Sequence, residues 1–278
     1  MGGLRLKKIF KLLAIALVLG IWSVSTLFPL YWMAQTSLTP EEDIRQIPPK
    51  LFPSRPTLQN FRDLFTYSQI WDWSVNSLFI SISITAGSIF VCSLAAYALA
   101  KMNFKGKRLL FIAIVSTIMV PPQVTLLPAF LLINKFGLLD TLWAVIIPSL
   151  ASPYTIFMMR QFMLSISQDY MDAARIDGAT EWGIYWRVIL PMSKPVIAAA
   201  SIFTFISSWN AFLWPLIVLN TPSKYPLTVG LATLQRLEMT QFGLQMAGSM
   251  VSAIPMVVIF FAFQRYFVKG LMTGGTKG

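Results

Sequence analysis

Histidine and cysteine, two residue types that often catalyse reactions, are nearly absent from this sequence of 278 residues. It contains no histidine, which removes histidine bases, Ser-His-Asp arrangements and most zinc or haem sites. Its single cysteine, Cys92, lies in an apolar run, and no G-x-x-x-x-G-K-[ST] phosphate loop occurs. The sequence therefore argues against a self-contained hydrolase, and any nucleotide chemistry must come from a partner.

Charged residues with a suggestive spacing gather instead in the polar segment 168–191. Asp169 is the predicted N-cap of a short helix, and Asp172 lies in its first turn, where a negative charge suits the helix dipole. Gly178 is placed to end this helix in a left-handed conformation. The spacing therefore predicts a short helix followed by a sharp turn.

A second helix is predicted after the turn, capped by Thr180, starting with Glu181 and ending before Pro191. Small side chains give the first helix and the turn a low profile, namely Ala173, Ala174, Gly178 and Ala179. Apolar bulk that could anchor the element to membrane helices comes from Met171, Ile176, Trp182, Tyr185 and Trp186. Such an element can enter a groove on another protein. The alternative is a loop that only lies across its own helix bundle.

The composition assigns the rest of the chain to a membrane. Hydrophobic residues make up 56% of it and charged residues 12%, against roughly 25% charged in soluble domains. A transmembrane helix needs about 20 mostly apolar residues, and six such stretches occur. The predicted spans are 12–34, 75–100, 109–132, 141–159, 196–219 and 244–266. We therefore predict an all-α membrane protein, with one transmembrane domain over 1–278 and about six transmembrane helices.

The basic residues give this topology a direction. A net charge of +11 raises the question of nucleic acid, but the placement of the charges points to lipid. The face with both termini and the loops 101–108 and 160–194 carries 15 of the 22 basic residues and is predicted to be cytoplasmic. Loops 35–73 and 220–243 are then extracytoplasmic. A cleaved N-terminal signal peptide is the alternative, but the apolar run is longer than a signal core.

The centres of the six spans contain no charged residue, but one span contains a stripe of small side chains. Ion-driven carriers commonly place an ionisable group at membrane depth, so its absence weakens the ion-coupled interpretation, although backbone carbonyls can also hold sodium. The stripe, spaced by three and four residues, is predicted to be an internal packing seam rather than a solute path. It consists of Ser77, Ser81, Thr85, Ser88, Cys92 and Ala95.

One segment resembles a known family. Asp172-Ala173-Ala174-x-x-Asp177-Gly178-Ala179, with Pro191 twelve residues later, resembles the E-A-A…G loop of ABC importer permeases. Asp172 replaces the glutamate usual in that family and keeps its charge. The form Arg175-Ile176-Asp177-Gly178-Ala179 is similar to the sugar-importing branch. Other segments are similar to the maltose-type permeases, namely 208–212 with Trp214-Pro215, 225–231, 264–268 and 270–278.

The resemblance implies the ABC importer permease fold, in which this loop is a coupling helix that sits in a cleft of a cytoplasmic ATPase. The implied coupling residues are Asp172, Ala173, Ala174, Asp177, Gly178, Ala179 and Pro191, with a weaker implied ATPase contact at Thr276, Lys277 and Gly278. The chain itself would hold no cofactor, because ATP and magnesium would bind a dimer of separate ATPase subunits. A second permease chain, an extracytoplasmic solute-binding protein at 220–245, and membrane lipid complete the implied partners, without nucleic acid.

The implied function is ATP-driven import of a sugar or oligosaccharide across the cytoplasmic membrane of a bacterium or archaeon. Trp209, Asn210 and Phe212 combine aromatic faces with an amide, a chemistry suited to sugar hydroxyls and ring faces. They could instead be interfacial anchors or residues that join helices. Import of another small solute, ion-coupled secondary transport and a membrane-embedded enzyme are the alternative functions.

Overall fold

The structure is a computed structural model that describes residues 2–237 and 241–273, with side chains for 9–234 and 241–263. Helices make up the regular structure of these described residues, and they contain no strand. The α-helices are, in chain order, α1 Gly2–Ser37, α2 Glu41–Ile44, α3 Gln59–Tyr67, α4 Ile70–Lys101, α5 Lys107–Ser116, α6 Pro122–Lys135, α7 Leu142–Ile146, α8 Pro153–Leu164, α9 Asp169–Ile176, α10 Glu181–Ile184, α11 Leu190–Met192, α12 Lys194–Trp209, α13 Leu213–Val218, α14 Leu227–Leu237 and α15 Phe242–Thr273. Short 3₁₀ turns cover Thr117–Met119, Ile147–Ser149 and Pro222–Lys224, and Tyr185–Ile189 is a π-helix.

Within the described residues, four helical segments are long and apolar enough to cross a membrane, namely Ile9–Ser37, Ile70–Lys101, Leu142–Leu164 and Phe242–Phe263. Two bent pairs of helices meet the same test, Lys107–Met119 with Pro122–Lys135 and Glu181–Met192 with Lys194–Trp209. Counting each pair as one span brings the number to six, which is the number predicted. Large apolar side chains on these segments are exposed, for example Phe10 by 77% and Trp22 by 73%, as expected of surfaces that lipid or other subunits cover.

The predicted spans 109–132 and 196–219 are not continuous helices. The first span is broken at Val120, and the direction of the helix changes by 106° between its two halves. Val120 precedes Pro121, and the proline ring disfavours the helical conformation of the residue before it. Val120 is accordingly extended, with a ψ of 121°. The second ends at Trp209 and resumes as α13. Hydrophobicity alone does not reveal either interruption, because the apolar run continues across both.

The chain divides into two compact units. They are Met1–Ile70 with Leu231–Ala253, and Trp71–Gly230 with Ile254–Gly278. In the first unit, the Asn60 amide donates to the carbonyls of Ser37 and Thr39 at 3.0 and 2.9 Å. The Glu41 carboxylate accepts the Gly243 N–H at 3.0 Å, at the N-terminus of α15, where a negative charge is favourable. These contacts fix the ends of α1 and α15 within this unit.

The main core of the second unit lies where α4 meets α8 and the polar segment 168–191. Its fully buried members include Cys92, Met159, Met163, Met171 and Ile189. Met171 belongs to the short helix α9, so this helix is anchored in the core rather than attached only by its ends. A buried methionine of this kind contributes roughly 2–5 kcal/mol relative to alanine.

The small-residue stripe on α4 is a packing seam, as predicted. Ser77, Ser81, Ser88 and Cys92 are 2% exposed or less. The Ser77 hydroxyl oxygen accepts the Leu227 N–H at 2.7 Å, which joins α4 directly to the start of α14. A Cβ at Gly87 on the same helix would lie 2.6 Å from the Leu150 side chain. Leu150 therefore packs closely against α4 because Gly87 has no side chain.

Asp140 joins two loops of the second unit, one before α7 and the other after α13. One carboxylate oxygen accepts the N–H groups of Asn220 and Thr221, each at 2.9 Å. The other accepts the Thr221 hydroxyl at 2.6 Å and the Lys224 ammonium at 2.9 Å. The Thr221 hydroxyl and the Lys224 ammonium hold the pKa of Asp140 well below its usual range. Asp140 therefore fixes the first residues of the predicted extracytoplasmic loop 220–243.

Asp140→Asn should weaken this junction, because an amide cannot accept all four of these donors or pair with Lys224. We expect the free energy of unfolding to fall by about 1–3 kcal/mol, measured by thermal unfolding in detergent. The folded-state pKa is lowered, so the carboxylate contributes above the ordinary aspartate pKa and loses its contribution only as the pH falls through the folded value. The deficit should therefore be constant between about pH 6 and pH 8.

Asp63→Asn is the matched control for this substitution, since Asp63 accepts a single hydrogen bond, from Gln59 on its own helix. Equal destabilisation by both substitutions, or a deficit that varies across neutral pH, would contradict the role given to Asp140.

Candidate functional site

The predicted helix, sharp turn and second helix are present in segment 168–191. α9 ends at Ile176, and Gly178 follows with a φ of +80°, the left-handed conformation predicted for it. The Thr180 hydroxyl oxygen caps α10 by accepting the Gly183 N–H at 3.2 Å, also as predicted. A Cβ at Gly178 would meet nothing within 4 Å, so the backbone conformation, rather than crowding, favours glycine there.

Two details of the prediction for this segment are wrong. Asp169 is the first residue of α9 rather than its N-cap, because its carboxylate accepts the Ser167 hydroxyl at 2.8 Å instead of helix N–H groups. Pro191 does not lie beyond the second helix. Helical conformation continues through Glu181–Met192, since the φ of proline suits a helix, and the chain turns only at Ser193.

The surface of this turn is accessible to a partner. Five of the predicted coupling residues are exposed, namely Asp172, Ala173, Asp177, Gly178 and Pro191, while Ala174 and Ala179 are half-buried against the core. Ile176, a large apolar side chain next to this charged turn, is 86% exposed. Because Met171 beneath them is fully buried, the turn is a fixed projection rather than a loose loop.

The anchoring of this element differs from the prediction. Of the five bulky apolar residues expected to hold it, only Met171 and Tyr185 are buried. Trp182 and Trp186 are 56% and 42% exposed, and their rings pack around Tyr185 with centroids 5.6 and 5.2 Å away. The exposed part of the element therefore has a larger apolar surface than predicted, which includes Ile176.

A chain of polar contacts joins the turn to α4. The Arg175 guanidinium donates to the Asp172 carboxylate at 2.8 Å and, through Nε and Nη2, to Glu181 Oε1 at 3.0 and 2.8 Å. The Tyr97 hydroxyl donates to the other Glu181 oxygen at 2.8 Å. Tyr97 lies near the C-terminal end of α4 and is 5% exposed. We name this set of four side chains the Tyr97–Asp172 relay.

The same end of α4 is held by two further contacts. The Arg160 guanidinium donates to the Leu99 carbonyl at 3.0 Å and lies 3.8 Å from the centre of the Phe111 ring, a cation–π geometry. The Lys101 ammonium donates to the Ile166 carbonyl at 2.5 Å. The end of α4, the end of α8 and the turn are therefore connected by both apolar and polar contacts.

Local sequence patterns indicate only part of this relay. Asp172 and Arg175 are three residues apart on one helix, a spacing at which opposite charges meet, so their pair was detectable. Tyr97 and Glu181 are 84 positions apart, and no local pattern links them. The role of Tyr97, and that of Glu181 beyond starting a helix, became visible only in the structure.

The predicted solute-contacting residues lie at the interruption between α12 and α13. Trp209 is 2% exposed and its ring is stacked on that of Phe205, with centroids 5.9 Å apart. The Asn210 amide donates to the Ile206 carbonyl one turn earlier at 2.8 Å, and Phe212 is 41% exposed. The three residues are neighbours in the chain, but their side chains are not brought together around one site.

The described residues form no group of three or more His, Cys, Asp or Glu side chains that could hold a metal ion. Their most developed polar arrangement is an exposed charged turn that is fixed to a membrane-length helix. The described residues therefore combine membrane-length helices with an exposed charged turn, which is the architecture of a transport permease.

Comparison with known proteins defines the family. The chain belongs to the binding-protein-dependent transport system inner membrane components, whose match covers residues 66–273. It is 40% identical over 254 residues to the arabinooligosaccharides transport system permease protein AraQ of Halalkalibacterium halodurans, covering 90% of this chain and 91% of that protein. The sn-glycerol-3-phosphate transport system permease protein UgpE of Yersinia pestis is 32% identical, with 93% and 94% covered.

A solved structure agrees with this assignment. The chain is similar to one in the crystal structure of a bacterial ABC transporter involved in the import of the acidic polysaccharide alginate, with a TM-score of 0.85 and 26% identity. The similarity covers 94% of this chain and 97% of that one. The predicted fold, that of an ABC importer permease, is thereby confirmed.

Proposed function

We propose that this chain is one permease subunit of an ATP-driven, binding-protein-dependent importer of sugars or oligosaccharides. The observation that carries the proposal is the exposed turn at Gly178, fixed through Met171 and the Tyr97–Asp172 relay to α4 and α8. A protein that grips this turn can move membrane-length helices without any chemistry in the permease itself. The chain then acts as a non-catalytic subunit whose conformation is coupled to ATP hydrolysis elsewhere.

The partners in this proposal are a dimer of cytoplasmic ATPase subunits, which binds ATP and magnesium, a second permease of different sequence and an extracytoplasmic solute-binding protein. Membership of a family of binding-protein-dependent systems supports the last of these. The distribution of lysine and arginine supports a cytoplasmic position for the turn and for both termini. The location that fits an inner membrane component is the cytoplasmic membrane of a bacterium or archaeon. The ATPase contact expected of Thr276, Lys277 and Gly278 lies outside the described residues.

The solute class rests on the relatives. The permease AraQ and the alginate importer both belong to carbohydrate systems by their names, which supports a sugar. Transport of sn-glycerol-3-phosphate by the UgpE system is the alternative within the same family. Trp209, Asn210 and Phe212 stay candidate solute contacts because they flank the interruption after α12.

Purification in mild detergent tests the proposal directly. The chain, tagged at its N-terminus and produced in its own cell, should retain an ATPase subunit and a second permease that mass spectrometry identifies. A chain that purifies without a nucleotide-binding partner, under conditions that keep a known importer intact, would contradict it.

Energy coupling separates this function from ion-coupled transport. Uptake should stop when ATP is depleted and continue when ion gradients are collapsed with ionophores. The opposite dependence would make the chain a secondary transporter.

A further inference from the structure

A cavity of about 440 Å³ lies in the second unit where three helical segments are interrupted. Its walls come from the break at Val120, from the irregular residues 150–152 before α8, and from the region around Ala211 between α12 and α13. Non-helical backbone at membrane depth is tolerated where it borders a cavity or is buried in protein, and transporters place solute sites at such breaks. The volume lies in the range of sites for small molecules, about 300–1,000 Å³.

Hydroxyl groups dominate the polar lining of this cavity, and seven serine or threonine side chains border it. Some of these hydroxyls already have hydrogen-bond partners within the protein. Those of Ser149 and Ser208 donate to carbonyls of the preceding helical turn, and that of Ser152 caps α8. The hydroxyls of Thr155, Thr204 and Ser207 make no hydrogen bond to the described residues. Thr155 is 4% exposed as a whole residue, but among the described residues only the Ser81 hydroxyl is both fully buried and unpartnered, so the Thr155 hydroxyl keeps access to the cavity.

The cavity lining contains no charged residue. A phosphate or carboxylate placed there would lose its hydration without gaining a cation, which is strongly unfavourable. A neutral solute with many hydroxyls loses less hydration free energy than an anion does. It can also replace its hydrogen bonds to water with hydrogen bonds to threonine and serine hydroxyls, which both donate and accept. The rings of Phe203 and Trp214 add apolar surface suited to the faces of sugar rings.

We propose that this cavity is a binding site for a neutral polyhydroxylated solute, held by the hydroxyls of Thr155, Thr204 and Ser207. The inference rests on the proposed importer function and narrows its solute class. It separates this chain from importers whose solutes carry a negative charge, because the lining of this cavity contains no cation to pair with such a solute.

Transport by the complete importer in membrane vesicles tests the site. The probes are neutral arabino- and galacto-oligosaccharides and an acidic oligosaccharide of uronic acids. We expect ATP-dependent uptake of at least one neutral probe and none of the acidic one. Thr155→Val and Ser207→Ala should each lower the amount of that neutral probe moved per ATP hydrolysed by about fivefold.

Ser201→Ala is the matched control, because Ser201 lies on α12 with Ser207 but does not border the cavity. It should leave the ratio of solute to ATP within about twofold. Unchanged transport in both cavity variants would mean that another subunit covers these hydroxyls, and would overturn the proposal. ATP-dependent uptake of the acidic probe alone, or of no neutral probe by an importer that hydrolyses ATP, would also overturn it while leaving the importer function intact.

Discussion

Replacing Gly178 with valine should lower solute uptake by at least about tenfold while the chain still reaches the membrane in normal amounts. Gly178 has a φ of +80°, which a β-branched residue adopts only with strain. Valine therefore forces the backbone of the turn to rearrange and displaces Asp177 and Ala179, which flank it at the exposed tip. Uptake and the amount of ATPase that copurifies with the chain are the measurements.

Gly106→Val is a closely matched control for this substitution. Gly106 has a φ of +84°, and a Cβ there, as at Gly178, would meet nothing within 4 Å, so both variants carry similar backbone strain. Gly178→Asn adds a second control, because asparagine adopts the left-handed conformation more readily than valine. We expect Gly106→Val and Gly178→Asn to keep most uptake. If Gly106→Val lost as much uptake as Gly178→Val, the effect would be general strain rather than disruption of a coupling surface.

Glu181→Ala should lower the amount of solute moved per ATP about five- to tenfold with little change in stability. Glu181 is the residue that connects both halves of the Tyr97–Asp172 relay, because it accepts from Arg175 and from Tyr97. The side chains of Arg175 and Glu181 are 40% and 44% exposed, and ion pairs at such exposure contribute only about 0–1 kcal/mol to folding. The larger expected effect is mechanical, since the substitution removes the polar connection between the turn and α4.

A double-mutant cycle isolates that connection. Tyr97→Phe removes one hydroxyl, and combined with Glu181→Ala it should cause no further loss, because both changes break the same contact. Ser93→Ala is the matched control. Ser93 lies on α4, as Tyr97 does, but its hydroxyl forms a hydrogen bond with the Tyr185 hydroxyl at 2.7 Å rather than with Glu181. Additive losses in the double variant, or an equal loss in Ser93→Ala, would contradict the relay.

These experiments also probe different links of one mechanism. Gly178→Val alters the surface that the ATPase is proposed to grip, so it should reduce ATPase retention as well as uptake. Glu181→Ala leaves that surface at Gly178 in place, so ATPase should remain bound while transport per ATP falls. The two outcomes distinguish a failure of docking from a failure of transmission.

Local physical causes explain what the sequence by itself determined. Apolar runs of sufficient length predict membrane helices, because backbone N–H and C=O groups without hydrogen-bond partners are too costly in lipid and a helix satisfies them all. The left-handed Gly178 and the Thr180 cap were predictable, since each depends on one residue and its immediate neighbours. The E-A-A-like segment pointed to the family that the comparison confirmed.

Only the tertiary structure decided how these parts are connected. The Tyr97 and Glu181 side chains meet across 84 positions, and the cavity brings together Val145, Thr155 and Ser207 from separate helices. The exposure of Ile176 and Trp182 also could not be predicted from the sequence, because hydrophobicity reports how much apolar surface a segment has but not what covers it. Contacts between distant residues depend on how helices pack, and that is set by the whole chain rather than by any local pattern.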